Sequence, residues 1–180
     1  MRPLPAADRI PVSWKNGGGT TWEIAAQPAG ADLSDFDWRL SIAEVASAGP
    51  FSVFPGVDRV LTVIAGSGLR LAIEGQGETV LDDSAPPLAF PGDAPASASL
   101  DGGTIRDLNL MVRRGAWRGT VRRIEGRQTL AAHAGVTVLA ALAPSMVDEA
   151  PLQVEDAAVP TPGATFTVEG RLLLIEIDRC

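Results

Sequence analysis

The run Ile105-Arg106-Asp107-Leu108-Asn109-Leu110-Met111-Val112-Arg113 alternates its residue types with a period of two. In an extended chain Asp107, Asn109, Met111 and Arg113 share one side and Leu108, Leu110 and Val112 the other, the pattern of a β-strand with an apolar face. The polar side has two readings. It is the solvated face of an outer strand, or it is a row of fixed donors and acceptors at the mouth of a barrel, where a ligand would need them.

Outward from this run the same period recurs and no long helical pattern interrupts it. Strands are expected at Thr20 to Gln27, Trp38 to Val45, Arg59 to Ile64, Leu69 to Glu74, Pro87 to Phe90 and Ala96 to Leu100 before it. After it come Val136 to Leu142, Leu152 to Glu155, Ala164 to Val168 and Leu172 to Asp178. Turn chemistry separates them, including Gly66-Ser67-Gly68, Pro91-Gly92-Asp93 and Glu169-Gly170. Pro55-Gly56 has the composition of a type II turn.

The chain also overlies itself at an offset of about 67 residues. Gly68-Leu69-Arg70-Leu71 falls on Gly135-Val136-Thr137-Val138, and Ser97 to Gly102 falls on Thr165 to Gly170. With Gly103 treated as an insertion, Asp107 takes the place of Leu174 and Asn109 that of Glu176. Two small β-barrels in tandem follow: an amino-terminal half, 1–115, with a polar strand suited to a ligand, and a carboxy-terminal half, 116–180, whose LLLIEI ending reads as packing.

Composition narrows the function. Of 180 residues 46% are hydrophobic, and 19 Gly with 14 Pro point to many turns. The net charge of −7 and a pI of about 4.7 give no global field toward phosphate backbones, so nucleic acid is not an expected partner. No apolar run is long enough for a membrane span, and the first residues lack the apolar stretch of a signal peptide. One Cys, Cys180, forms no internal disulfide, in keeping with a cytoplasmic location. One His, His133, together with one Cys excludes imidazole or thiolate metal clusters; a carboxylate-only Mg or Ca site stays formally open, but no EF-hand loop or comparable acidic run is present, so no metal and no cofactor are expected.

Several stretches could carry chemistry. Trp14-Lys15-Asn16-Gly17-Gly18-Gly19-Thr20-Thr21 reads as a flexible linker or as an anion site made of the Lys15 charge and exposed backbone N–H groups. Three consecutive glycines, if ordered, need a reason such as close backbone approach or positive φ. Arg39 and Arg59 could clamp a carboxylate from neighbouring strands, or Arg59 could pair with Asp58 or Glu44 at the surface. Glu23, Glu44 and Asp58 are the acids available as a base. The segment 113–127 holds six Arg and reads as a solvated connector between the halves.

The strings WKNGGGTTWEIA (Trp14 to Ala25), FDWRLSIAEV (Phe36 to Val45), GPFSVFPGVDRVL (Gly49 to Leu61) and DLNLMVRRG (Asp107 to Gly115) together resemble the HutD/Ves family of bicupin proteins. The resemblance implies an all-β, cupin-like double-stranded β-helix in two tandem halves, with a small-ligand pocket in the first. It implies a binder of an anionic metabolite of histidine utilisation, such as urocanate or a formylated or formiminated glutamate. Matching positions place Lys15, Asn16, Thr20, Arg39, Ser41, Arg59, Asn109 and Met111 around that ligand. Met111, with Trp38 or Phe54, would cover its apolar body. Metal-dependent cupins carry a His-x-His and a later His, whereas Ala94 to Leu100, after the Phe90-Pro91-Gly92-Asp93 turn, holds none. The expectation is therefore a metal-free binding protein. Its rivals are a metal-independent isomerase or hydrolase using Glu23, Glu44 or Asp58, and a structural barrel. Exposed sheet edges make a homodimer an expectation under each reading.

Overall fold

The computed structural model describes residues 1–180 and is built of strands, with one short 3-10 turn at Ala6–Asp8. In chain order the strands are β1 (Arg2–Leu4), β2 (Pro11–Ser13), β3 (Gly19–Gln27), β4 (Trp38–Val45), β5 (Gly49–Pro50), β6 (Val57–Ala65), β7 (Leu69–Ile73), β8 (Gly77–Leu81) and β9 (Leu88–Pro91). They continue with β10 (Ala96–Leu100), β11 (Ile105–Arg113), β12 (Trp117–Ala131), β13 (Val136–Ala141), β14 (Ser145–Val147), β15 (Ala150–Leu152), β16 (Ala157–Val159) and β17 (Thr165–Arg179). The chain divides into two compact units, Ile10–Ala116 and a second made of Met1–Arg9 with Trp117–Cys180. The division departs from halves at 1–115 and 116–180 because β1 pairs antiparallel with β16, which ties the first residues to the second unit.

In the amino-terminal unit a six-stranded sheet, β2-β3-β4-β11-β6-β9, faces a four-stranded one, β5-β10-β7-β8. Inward-pointing residues of both sheets form one core, among them Val45, Leu61, Leu71, Leu81, Phe90 and Ile105. Side chains of this kind contribute roughly 1.5–3 kcal/mol each on burial. Pro55 and Gly56 form the expected turn: Val57 N–H donates to Phe54 O at 3.3 Å, and Gly56 sits at φ +70°.

The carboxy-terminal unit uses one seven-stranded sheet, β1-β16-β13-β17-β14-β15, with β12 added along β17. Its core is hydrocarbon, including Ile124, Leu139, Val147, Phe166, Val168 and Leu172. Residues expected as two strands, Ala164 to Val168 and Leu172 to Asp178, are the single β17, bent at Gly170, where φ is +135°.

Two sequence expectations change here. The segment read as a connector is β12, which is paired with β17 over its full fifteen residues. Its charges are answered across the sheet, Arg118 by Asp178, Arg127 by Glu169 and Glu125 by Arg171, so a polar sequence still makes a strand. The second change is the register of the repeat. β13 neighbours β17 and β16 as β6 neighbours β11 and β9, so β13 corresponds to β6 and not to β7. Leu139 stands opposite Leu174 as Val63 stands opposite Asp107, giving an offset of 76 at the first strand and 67 at the last. The second copy is the shorter, and a single offset aligns only its end.

Candidate functional site

The pairing of β11 with β4 and β6 sets a polar row inside the amino-terminal unit. Asp107 lies between Ala43 and Val63, Asn109 between Ser41 and Leu61, and Met111 between Arg39 and Arg59. Directly opposed residues share a face, and Leu61, Val63 and Phe90 on that face belong to the core. The row therefore points inward. Both sides of β11 are buried: Asp107 is 0% exposed and Asn109 7%, while Leu108 and Leu110 are also covered. The reading of an outer strand with one solvated face is thereby excluded.

Arg59 is the charged centre of the row, 6% exposed. Its Nε and Nη2 donate to Asn109 Oδ1 at 3.3 and 2.8 Å, and Nη1 reaches Ser52 O at 3.5 Å. Its guanidinium carbon lies 5.2 Å from the ring centroids of Phe51 and Phe90 and 5.6 Å from that of Phe54. Aromatic faces hold a cation while leaving donors at its edge. Burial pulls the Arg59 guanidinium down to about 10, with Asp107 opposing, so it remains charged at neutral pH.

Asn109 turns its other end to Asp107, Nδ2 donating to Asp107 Oδ1 at 2.8 Å. Asn109 thus relays between a buried cation and a buried carboxyl that do not touch. Asp107 Oδ2 is buried without a hydrogen-bond partner. Burial pushes the Asp107 carboxyl up to about 7, against the pull of Arg59 and the Asn109 hydrogen bond.

Arg39 takes a different partner, donating from Nε to Glu23 Oε2 at 2.8 Å, with side chains 13% and 37% exposed. β4 and β6 flank β11, so Arg39 and Arg59 stand roughly 10 Å apart on either side of Met111. Met111 packs with Phe36 and Val57, and Phe54 lies against that cluster. Trp38 belongs to the opposite face, in register with Val112 and Gln27, and cannot cover a ligand held by the row.

Lys15, Asn16 and Thr20 are not brought to the row. Trp14 to Gly19 is the turn joining β2 to β3, closed by Trp14 N–H to Gly19 O at 2.9 Å and Gly17 N–H to Trp14 O at 3.0 Å. Asn16 spends its side chain on this turn, Oδ1 accepting from Gly18 N–H at 3.0 Å, and Lys15 is exposed. The turn abuts the Val45 end of β4, six residues or roughly 20 Å of extended chain from Arg39. Thr20 is in register with Glu44 and faces away from the row, while its neighbour Thr21 faces in. The triple glycine has a backbone cause: Gly17 adopts φ +71°, and a Cβ on Gly19 would collide with Glu44 O and crowd the Trp14 ring.

The acids named as bases are engaged or turned away: Glu23 with Arg39, Asp58 with Arg114 at 2.7 Å, and Glu44 on the outer side of β4. Asp107 is the residue the sequence reading left out of the site. Its place on the polar side of β11 was visible, but alternation alone did not reveal that the whole row is buried. An open cleft of about 520 Å³ lies elsewhere in this unit, along Pro50, Ile73, Glu78 and Ser97 among others, and holds none of the row.

At the equivalent rung of the second unit the Asp107 position is Leu174, 2% exposed and packed in hydrocarbon. The barrel pair is thus chemically unequal.

A family model described as HutD matches residues 6–174. The chain belongs to the HutD family. Among HutD-like relatives, an uncharacterized 21.2 kDa protein in the hutC 3' region of Pseudomonas putida is 40% identical over 137 residues, 76% of this chain and 70% of that protein. A protein Ves from Cronobacter sakazakii is 42% identical over 116 residues, covering 63% of this chain and 62% of Ves, so the match spans less than two thirds of that relative. The structure of HutD from Pseudomonas fluorescens superposes with a TM-score of 0.88 at 34% identity, covering 99% of this chain and 98% of that one. A cupin conserved barrel domain protein from Leptotrichia buccalis, at 12% identity and a TM-score of 0.60, shares the fold. The chain is accordingly an all-β, cupin-like double-stranded β-helix in two tandem halves. The metal centre of many cupins does not fit this HutD row: no three of His, Cys, Asp or Glu come together, and Arg39 and Arg59 would repel a cation.

Proposed function

We propose that this HutD-family chain binds a small anionic metabolite in its amino-terminal barrel and through it modulates histidine catabolism. The ligand class is urocanate or a formylated or formiminated glutamate. The observation that carries the reading is the buried Arg59, which is held by a neutral amide and three phenylalanine rings rather than by a carboxylate. A buried guanidinium without a direct counter-ion favours an anion that supplies one. Arg39 stands across Met111 as a second cation, Ser41 and Asn109 offer hydroxyl and amide groups, and Met111 and Phe54 supply apolar cover. The hutC-region name of the Pseudomonas putida relative supports the pathway. A charge-assisted hydrogen bond contributes about 1.5–3 kcal/mol net, so two give about 3–6 kcal/mol, millimolar to tens of micromolar affinity before apolar cover adds to it. Calorimetric titration of urocanate and of formiminoglutamate tests this. Saturable heat is expected, and its absence at millimolar ligand with folded protein would overturn the reading.

A further inference from the structure

We infer that Asp107 is a specificity-determining residue, which makes the site select carboxylates that also carry a nitrogen–hydrogen donor over isosteric carboxylates that lack one. The inference rests on the ligand reading above and adds to it the second functional group of the ligand.

It starts from an imbalance in the row. Asp107 has two carboxyl oxygens, and Asn109 Nδ2 satisfies only Oδ1. Oδ2 is sealed from solvent with nothing donating to it. A buried acceptor left unpaired is costly, so a partner that completes it gains more than the same hydrogen bond formed in water. The side chains on the rung do not compete: those of Ala43 and Val63 carry no donor, and on the next rung Ser41 and Leu61 bring one hydroxyl between them.

The surroundings point the same way. The groups that face Asp107 from the elements around it are Arg59 on β6 and the Arg39–Glu23 pair on β4 and β3. The inward residues of β7, β9 and β10, namely Leu69, Leu71, Phe90 and Ala98, are apolar. Arg39 is paired with Glu23, and Asp107 is joined to Arg59 only through Asn109, so burial raises the affinity of its carboxyl for a proton and for a donor. A carboxylate with no donor entering at Arg59 would leave Oδ2 still unpaired. A ligand bearing an N–H at the far end of a short unsaturated or aliphatic spacer supplies that donor, with its carboxylate toward Arg59 and its N–H toward Oδ2.

Two probes of nearly the same shape separate the possibilities. Urocanate carries an imidazole N–H, and 3-(2-furyl)acrylate replaces that ring with a furan that has no donor. In the wild-type protein, calorimetry at pH 8 should show urocanate binding about tenfold or more tighter than furylacrylate. In Asp107→Asn, Asn109 holds the new amide by its oxygen and an NH₂ occupies the place of Oδ2, so the preference should vanish or invert toward the furan. Equal affinities in the wild type would overturn the inference, since that comparison needs no variant to fold. So would a urocanate preference that survives in a folded Asp107→Asn. Binding of neither acid would remove the underlying ligand reading, which is a different outcome from equal binding of both.

Discussion

Arg59 donates twice to a single oxygen, Asn109 Oδ1, and the buried carboxyl of Asp107 is joined to it through the other end of that same amide. Three consequences follow from this relay. The cation keeps its charge, its outer donor remains loosely held at 3.5 Å from Ser52 O, and the carboxyl group is neither fully paired nor exposed.

Asn109→Leu keeps the volume and removes both ends of the relay. Arg59 then loses its best acceptor and Asp107 its only donor, each inside the barrel. A loss of about 3 kcal/mol in urea unfolding at pH 7 is expected. A loss below about 1 kcal/mol would show that the relay contributes little.

The pH dependence of stability carries the sign of Asp107. Its carboxyl binds a proton more tightly when folded, at about 7, than at its ordinary value of 3.8. The contribution of this group is therefore fully present below about pH 4 and is lost as pH rises toward 7. The wild type should lose at most about 4 kcal/mol relative to Asp107→Asn over that window. Unfolding free energies of the pair at pH 4.5, 6 and 7.5 read this difference directly, and a flat difference would contradict the burial argument.

Affinity should separate Arg59 and Lys15. Arg59→Gln should weaken urocanate binding by roughly tenfold or more, while Lys15→Ala, on an exposed turn far along β4, should change it less than about twofold. Glu23→Gln frees Arg39 from its partner and should tighten binding of the anion a few-fold. A large effect at Lys15 would restore the anion site in the glycine turn that the hairpin geometry argues against.

The glycines of that turn differ in kind. Gly19→Ala drives a methyl into Glu44 O and the Trp14 ring and should cost about 2–3 kcal/mol, whereas Gly17→Ala meets open space at φ +71° and should cost about 1 kcal/mol. Thermal unfolding of the two variants ranks them.

Much of the fold is legible in local pattern. Trp38–Val45, Ala96–Leu100 and Ile105–Arg113 begin and end where alternation and turn residues say they should. What was not legible is nonlocal. β12 carries Arg and Gly where a strand would be expected to carry apolar residues, and it is held by pairing with β17 rather than by its own period. The match of Leu69 to Val136 failed because the second copy is shorter between its first and last strands, and no single offset can express that. For the site, Arg39, Ser41, Arg59, Asn109 and Met111 share one face through strand register. Lys15 and Asn16 lie in the turn before β3, and Thr20, in β3, faces the other side of the sheet. Asp107 escaped because its importance lies in an oxygen that nothing satisfies, which only three-dimensional packing reveals.

Crystals of the protein soaked with urocanate offer the most direct test. The ligand carboxylate should lie within hydrogen-bonding distance of the Arg59 guanidinium, between the β4 and β6 sides of the polar row. Urocanate bound in the surface cleft by Ile73 and Glu78, with the row unchanged, would contradict it.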